Sequence, residues 1–230
     1  MNTQLKILAD DLWVAEMAAS KLGFEFGARM TVVRLPNGTL WLHSPIESST
    51  RLKAEIDALG AVAFLVAPHR FHYGHLAEWA RLYPSAQVWS APGLTSETAK
   101  TRIGEYLDAH VPAAWAEVFE QAVFAGNSLD NEVDFCHKPS RTLILTDLCF
   151  NIPVRRSAAT RLIARFLGVL NTLSPTRPLR LATKNREASR ASIRRILEWD
   201  FDRIILSHGD IIERHGKARL QTAFAWLFQK

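Results

Sequence analysis

The stretch PHRFHYGHLAEW, residues 68–79, places three of the chain's eight histidines, His69, His72 and His75, within seven residues. It follows the apolar run Val62 to Val66 and precedes a segment that reads as helix. Three more runs stop on a residue of the same kind: EVDFC on His137, TLILT on Asp147 and RIILS on His208. Imidazole and carboxylate are the side chains that hold zinc or iron. Strand ends are where α/β proteins gather their ligands. Each residue also has an ordinary structural reading. His69 suits a surface loop, His72 and His75 a capping or packing role, and His137 exposure beside Lys138. Asp147 and His208 suit turns. One pattern repeated at four strand ends makes metal binding the better reading of the group.

The elements that must carry these residues can be traced from the pattern. Met30 to Leu35 and Thr39 to His43 read as strands joined at Asn37-Gly38, the favoured two-residue hairpin turn. ESSTRLKAEIDALG reads as a helix, with Ser48 or Ser49 as N-cap and Gly60 as its stop. HLAEWARLY is a short helix ended by Pro84, and AQVWSAPG is a strand with a turn. AEVFEQAVF is ambiguous between helix and strand. NEVDFCHKPS alternates as a strand ending at His137, and RTLILTDLCF is a β run ending at Asp147. SAATRLIARFLGVLNTL and REASRASIRRILEWD have helical spacing, with one face through Leu162, Ile163, Phe166, Leu167 and Leu170 expected to be buried. FDRIILSHGD is a last strand and GKARLQTAFAWLFQK a last helix. Such mixing predicts sheets flanked by helices in one domain over residues 1–230.

Composition sets the bounds. A chain of 230 residues, 48% hydrophobic and 22% charged, can bury a core without disulfide support. Cys136 and Cys149 read as small buried residues in a reducing compartment. The opening MNTQLKILADDLW lacks the basic start and apolar core of a signal peptide. No run approaches a membrane span. The expectation is a cytoplasmic protein. The net charge of +5 is uneven: residues 151–198 hold eleven Lys and Arg against two Glu. This basic helical segment, about 155–198, reads as a solvated helix face, or one turned to an anionic substrate, nucleic acid or a membrane surface. With only Phe166 and the flanking Trp199 as aromatics, it offers little base stacking, which argues against nucleic acid.

HYGH, then HKPSRTLILTD, then IILSHGD resembles the metallo-β-lactamase fold superfamily. LWLHSP, EVDFCHKPSRTLILTDLCFN and LSHGD look like its DUF4336 branch. The resemblance runs from about the first hairpin to the last helix. It implies an α+β fold, an αββα sandwich of two mixed β-sheets flanked by helices, with a metal site at one edge. The superfamily's first motif is His-x-His-x-Asp-His. Aligning its last histidine with His75 sets the second on His72, but puts Arg70 on the first and Gly74 on the aspartate. His69 lies one position early as a substitute or supporting ligand. The resemblance then implies one metal position from His72 and His137 and another from His75 and His208, with Asp147 bridging. A guanidinium cannot ligate a metal and repels one. Two metals, one or none therefore stay open.

Zinc is the ion implied, with iron the other choice. Zinc lowers the pKa of its bound water to about 7, which supplies a nucleophile at neutral pH for an ester, thioester, amide or phosphodiester. Asp147 is the catalytic candidate. The expected function is a metal-dependent hydrolase acting on a small-molecule, anionic substrate. The alternative is a catalytically degenerate binding module that keeps the fold with one metal or none.

Overall fold

The structure is a computed structural model, and it describes residues 4–18, 20–21, 24–129 and 131–229. The chain divides into two compact units: residues 1–18 with 28–107, and residues 19–27 with 108–230.

In chain order, β1 (Leu5–Ala9) and β2 (Leu12–Met17) form a hairpin of the first unit. The short β3 (Ser20–Lys21) and β4 (Phe24–Glu25) pair with each other in the second. The first unit continues with β5 (Ala28–Arg34), β6 (Leu40–His43), α1 (Thr50–Asp57), β7 (Val62–Ala67), α2 (Leu76–Leu82), β8 (Gln87–Ser90), α3 (Ser96–Ala99) and β9 (Glu105–Tyr106). Its seven strands make one mixed sheet in the order β1-β2-β5-β6-β7-β8-β9. Pairing is antiparallel up to β6 and parallel from β6 to β9.

The expected hairpin over residues 30–43 is present, but its turn is longer than two residues. Gly38 N–H donates to Leu35 O at 2.8 Å, and Leu35 and Thr39 close the loop at 2.8 Å. Gly38, at φ +81°, takes the left-handed position after the turn. Asn37 instead uses its side chain to accept from Thr39 N–H at 3.0 Å. Ser49 caps α1 by accepting from Leu52 N–H at 3.1 Å. The core of this unit gathers Leu40, Leu42, Leu52, Ile56, Leu65 and Leu76 around Trp79, whose indole N–H donates to Ile46 O at 2.6 Å.

The second unit adds β10 (Phe119–Val123), β11 (Val133–His137), β12 (Thr142–Leu145), α4 (Ala158–Leu167), α5 (Arg177–Ala182), α6 (Arg186–Glu198), β13 (Arg203–Leu206) and α7 (Gly216–Phe228). The ambiguous run before Phe124 is thus strand. Its sheet has the order β10-β11-β12-β13, antiparallel except for the parallel pair β12–β13. After Thr142 and the half-buried Arg203, LIL and IIL are unbroken apolar runs because strands covered on both faces have no polar side to show. Leu143, Leu145, Ile193, Ile196, Leu206, Phe224 and Leu227 form the core, each worth roughly 1.5–3 kcal/mol of burial. Cys136 and Cys149 are both buried and unpaired with one another, as expected.

One expected face is corrected. In α4 the fully buried positions are Thr160 and Ala164, while Leu162 is 70% and Phe166 68% exposed. The stripe expected from apolar spacing is split. Small residues turn inward, and two of the largest apolar side chains stand in solvent.

Candidate functional site

In the first unit, adjacent parallel strand ends assemble the histidines. β6 ends on His43, and Ser44 follows at φ +54°, held by its N–H to Val66 O at 2.9 Å. β7 ends one step before Pro68 and His69. A tight turn closes there, with His72 N–H donating to His69 O at 2.9 Å. It brings the His69 and His72 rings to 6.0 Å between centroids. His69 is buried, and the Nδ1 of His72 lies 2.7 Å from Ser44 Oγ. That contact orients the ring and turns Nε2 to its other side, as an outer hydrogen-bond partner does for a metal-binding histidine. His75 sits at the start of α2 with Nδ1 3.0 Å from Glu78 Oε2, and Glu78 also holds the Ser48 hydroxyl.

Behind them lies His43, which sequence reasoning passed over as strand. Its ring stacks on Trp41 at 5.3 Å. Burial, with His72 nearby as the lesser cause, lowers its pKa to about 3, so it is neutral at ordinary pH. Arg70 lies with its guanidinium 5.0 Å from the exposed Phe71 ring. A Cβ added at Gly74 would meet no atom within 4 Å.

In the second unit, β12 and β13 run parallel with Leu145 beside Leu206, so Asp147 and His208 leave the sheet at the same edge. Asp147 Oδ1 and His208 Nε2 are 3.2 Å apart. The other ring nitrogen, Nδ1, lies 2.6 Å from the carbonyl oxygen of Gly27. A carbonyl only accepts, so Nδ1 carries the hydrogen. In a neutral ring Nε2 then presents a lone pair to a carboxylate oxygen. Two acceptors at that distance call for a proton or a metal cation between them. Phe150 stacks on the ring at 4.8 Å and holds its plane. Gly209, at φ +89°, lets the backbone pass Asn151, whose O would lie 2.1 Å from an added Cβ.

Glu132 fixes the Asp147 loop, and sequence reasoning missed it. This buried carboxylate accepts the backbone N–H groups of Thr146, of Asp147 at 2.6 Å and of Leu148 at 2.7 Å. The signal was in the register. Phe135 pairs with Ile144 and His137 with Thr142, which carries Glu132 opposite Asp147.

The same register sets His137 at the opposite end of β12 from Asp147. β11 and β12 are antiparallel, so the end of β11 lies at the start of β12. Three residue steps of β12, roughly 10 Å of strand, separate that edge from the one carrying Asp147 and His208. His137 is buried there, with Nδ1 2.7 Å from Ser140 Oγ and its ring 5.5 Å from that of Phe119.

Solved structures share this architecture. A metallo-β-lactamase from Pontibacter korlensis is 10% identical, with 100% of both chains covered and a TM-score of 0.67. The metallo-β-lactamase FIM-1 from Pseudomonas aeruginosa, in a mono-zinc form, is 10% identical with a TM-score of 0.67, covering 100% of this chain and 98% of that one. The metal-soaked Flv1 flavodiiron core from Synechocystis sp. is 11% identical with a TM-score of 0.70, over 99% of this chain and 61% of its own. At such identity the likeness shows the fold alone: α+β, with mixed sheets flanked by helices. No curated protein matches the chain. The family model described as "Domain of unknown function (DUF4336)" matches residues 9–187, and the chain belongs to that family, on a metallo-β-lactamase fold.

Proposed function

We propose that the chain is a metallo-β-lactamase-like domain that binds a metal ion and works as a metal-dependent hydrolase on a small anionic substrate. The candidate ligands are His69, His72 and His75 of the first unit and Asp147 and His208 of the second, taken from the strand-end pattern of the sequence. The Asp147–His208 pair carries this reading, since two acceptors face each other where the Gly27 carbonyl has fixed the tautomer. Imidazoles and a carboxylate suit zinc, with iron the other choice. A bound zinc ion would supply Lewis acidity and a nucleophile at neutral pH.

The chain's own residues do the rest. Ser44 and the Gly27 carbonyl orient His72 and His208, and Glu132 holds the Asp147 backbone in place. Asp147 is the group that orients the attacking water, and it accepts its proton at a carboxylate oxygen. Arg70, beside the exposed Phe71, supplies a fixed positive charge for an anionic substrate. The buried, unpaired thiols of Cys136 and Cys149 suit a reducing compartment such as the cytoplasm.

A second reading has its own observation. Arg70 stands where the superfamily's first motif has a histidine and Gly74 where it has an aspartate, which fits a binding module that has lost catalysis. Titration of chelator-treated protein with Zn²⁺ at neutral pH, followed by calorimetry, tests the proposal. Saturable binding near one ion per chain, with release of protons, is expected. Heat no larger than dilution would overturn it. Stoichiometric binding without hydrolysis across an ester, thioester, amide and phosphodiester panel would favour the second reading.

A further inference from the structure

Of the large apolar side chains exposed among the described residues, three lie on α4 and α5 of the second unit: Leu162 at 70%, Phe166 at 68% and Leu181 at 77%. Leu162 and Phe166 are four apart on α4 and share a flank. The guanidinium of Arg177 lies 6.0 Å from the Phe166 ring, and Leu181 follows Arg177 by four on α5. The four positions Leu162, Phe166, Arg177 and Leu181 therefore run as one stripe across two helices. Arg161 and Arg165 stand beside it, exposed, and none of Arg161, Arg165 and Arg177 has an ion pair among the described residues. From residue 151 to 186 the sequence contains no Asp or Glu.

We propose that this flank of α4 and α5 docks on an anionic lipid surface, with Leu162, Phe166 and Leu181 entering the headgroup boundary and the arginines meeting lipid phosphates. Exposed apolar tips among unpaired arginines are what an interfacial helix presents to a bilayer. A second copy is disfavoured, since neither α4 nor α5 carries an acidic residue and pairing these helices with themselves would set arginine against arginine. A peptide partner is disfavoured by the relief. The hollow lined by Ala158, Arg161, Leu162 and Arg165 is about 180 Å³, below the range of ligand-holding clefts. A bilayer needs no groove to receive protruding side chains.

The test is co-sedimentation of the full chain with vesicles of phosphatidylcholine alone or with phosphatidylglycerol at three parts in ten. Binding to the anionic vesicles only is expected, weakening between about 0.05 M and about 0.5 M NaCl. The triple variant Arg161→Gln, Arg165→Gln, Arg177→Gln should lose about fivefold per charge, on the order of a hundredfold in all. The pair Leu162→Ser, Phe166→Ser keeps every charge and should lose about tenfold or more. Both sets are at exposed positions, and an unchanged near-ultraviolet circular dichroism spectrum would show that they fold. No binding to anionic vesicles would overturn the proposal, as would binding that the serine pair leaves unchanged. It would also be overturned by a wild-type dimer in sedimentation velocity that the serine pair dissolves, or by retention on a single-stranded oligonucleotide without vesicle binding.

Discussion

Removing the Glu132 carboxylate should loosen the loop that presents Asp147. In Glu132→Ala three amide donors, the buried ones of Thr146 and Leu148 and the half-buried one of Asp147, lose a shared ionised acceptor. Hydrogen bonds to charged groups are worth about 1.5–3 kcal/mol each. The three share one carboxylate, and water can enter the space left behind, so the total should be nearer about 3–5 kcal/mol than the simple sum. That is a large part of the roughly 5–15 kcal/mol that holds a domain together. With a urea dependence of about 2–3 kcal/mol per molar, the unfolding midpoint should fall by roughly 1–2 M. Glu132→Gln keeps one acceptor oxygen but turns its amide nitrogen toward backbone N–H groups, so it should lie between wild type and alanine. The exposed Glu117→Ala, as control, should stay within about 0.5 kcal/mol. A fall of under about 0.3 M in Glu132→Ala would show that the amides are satisfied without the carboxylate, and the clamp argument would fail.

Gly209→Ala must place a Cβ against Asn151 O in a left-handed backbone conformation; a loss above about 2 kcal/mol in chemical denaturation is expected, and a neutral effect would refute the close approach. Ser44→Ala should weaken zinc binding about 10–100-fold by calorimetry through loss of the contact that orients His72. His43 should make the protein acid-sensitive. Burial lowers its folded pKa to about 3 from an ordinary value near 6.5, so the unfolded chain binds the extra proton first. Stability is complete above about pH 6.5 and falls toward pH 3 by about 1.4 kcal/mol per unit, and His43→Leu should flatten that slope in urea midpoints measured against pH. Arg70→His with Gly74→Asp, placed where Gly74 has open space, should raise zinc affinity by at least about tenfold in competition with a chelator, with little change in stability.

The sequence readily exposed the elements whose local chemistry is unambiguous. Ser49 before α1, the apolar runs of β7, β12 and β13, and the periodicity of α6 all kept their predicted form. The candidate site was legible only in part, because a strand end has a direction that a linear pattern does not carry. Asp147 and His208 stand together because β12 and β13 are parallel. His137 stands at the other edge because the three residues after Lys138 turn the chain back on itself. Glu132 was hidden for a related reason: NEVDFCH looks alternating, yet Val133 to His137 are all buried, so polar residues there are not a solvent face. In α4, spacing identified an amphipathic helix but not which side faces inward, since Thr160 and Ala164 fit against their surroundings where Leu162 and Phe166 do not.

Metal content across a small variant set tests the central claim most directly. Each protein is loaded with zinc at neutral pH, freed of loosely bound ion and measured by elemental analysis. Wild type and His137→Ala should retain near-stoichiometric metal, whereas His72→Ala, Asp147→Ala and His208→Ala should retain little. Equal, near-zero content in all five would contradict the metal site. Metal lost in His137→Ala but kept in His208→Ala would contradict the assignment of its ligands to the shared edge of β12 and β13.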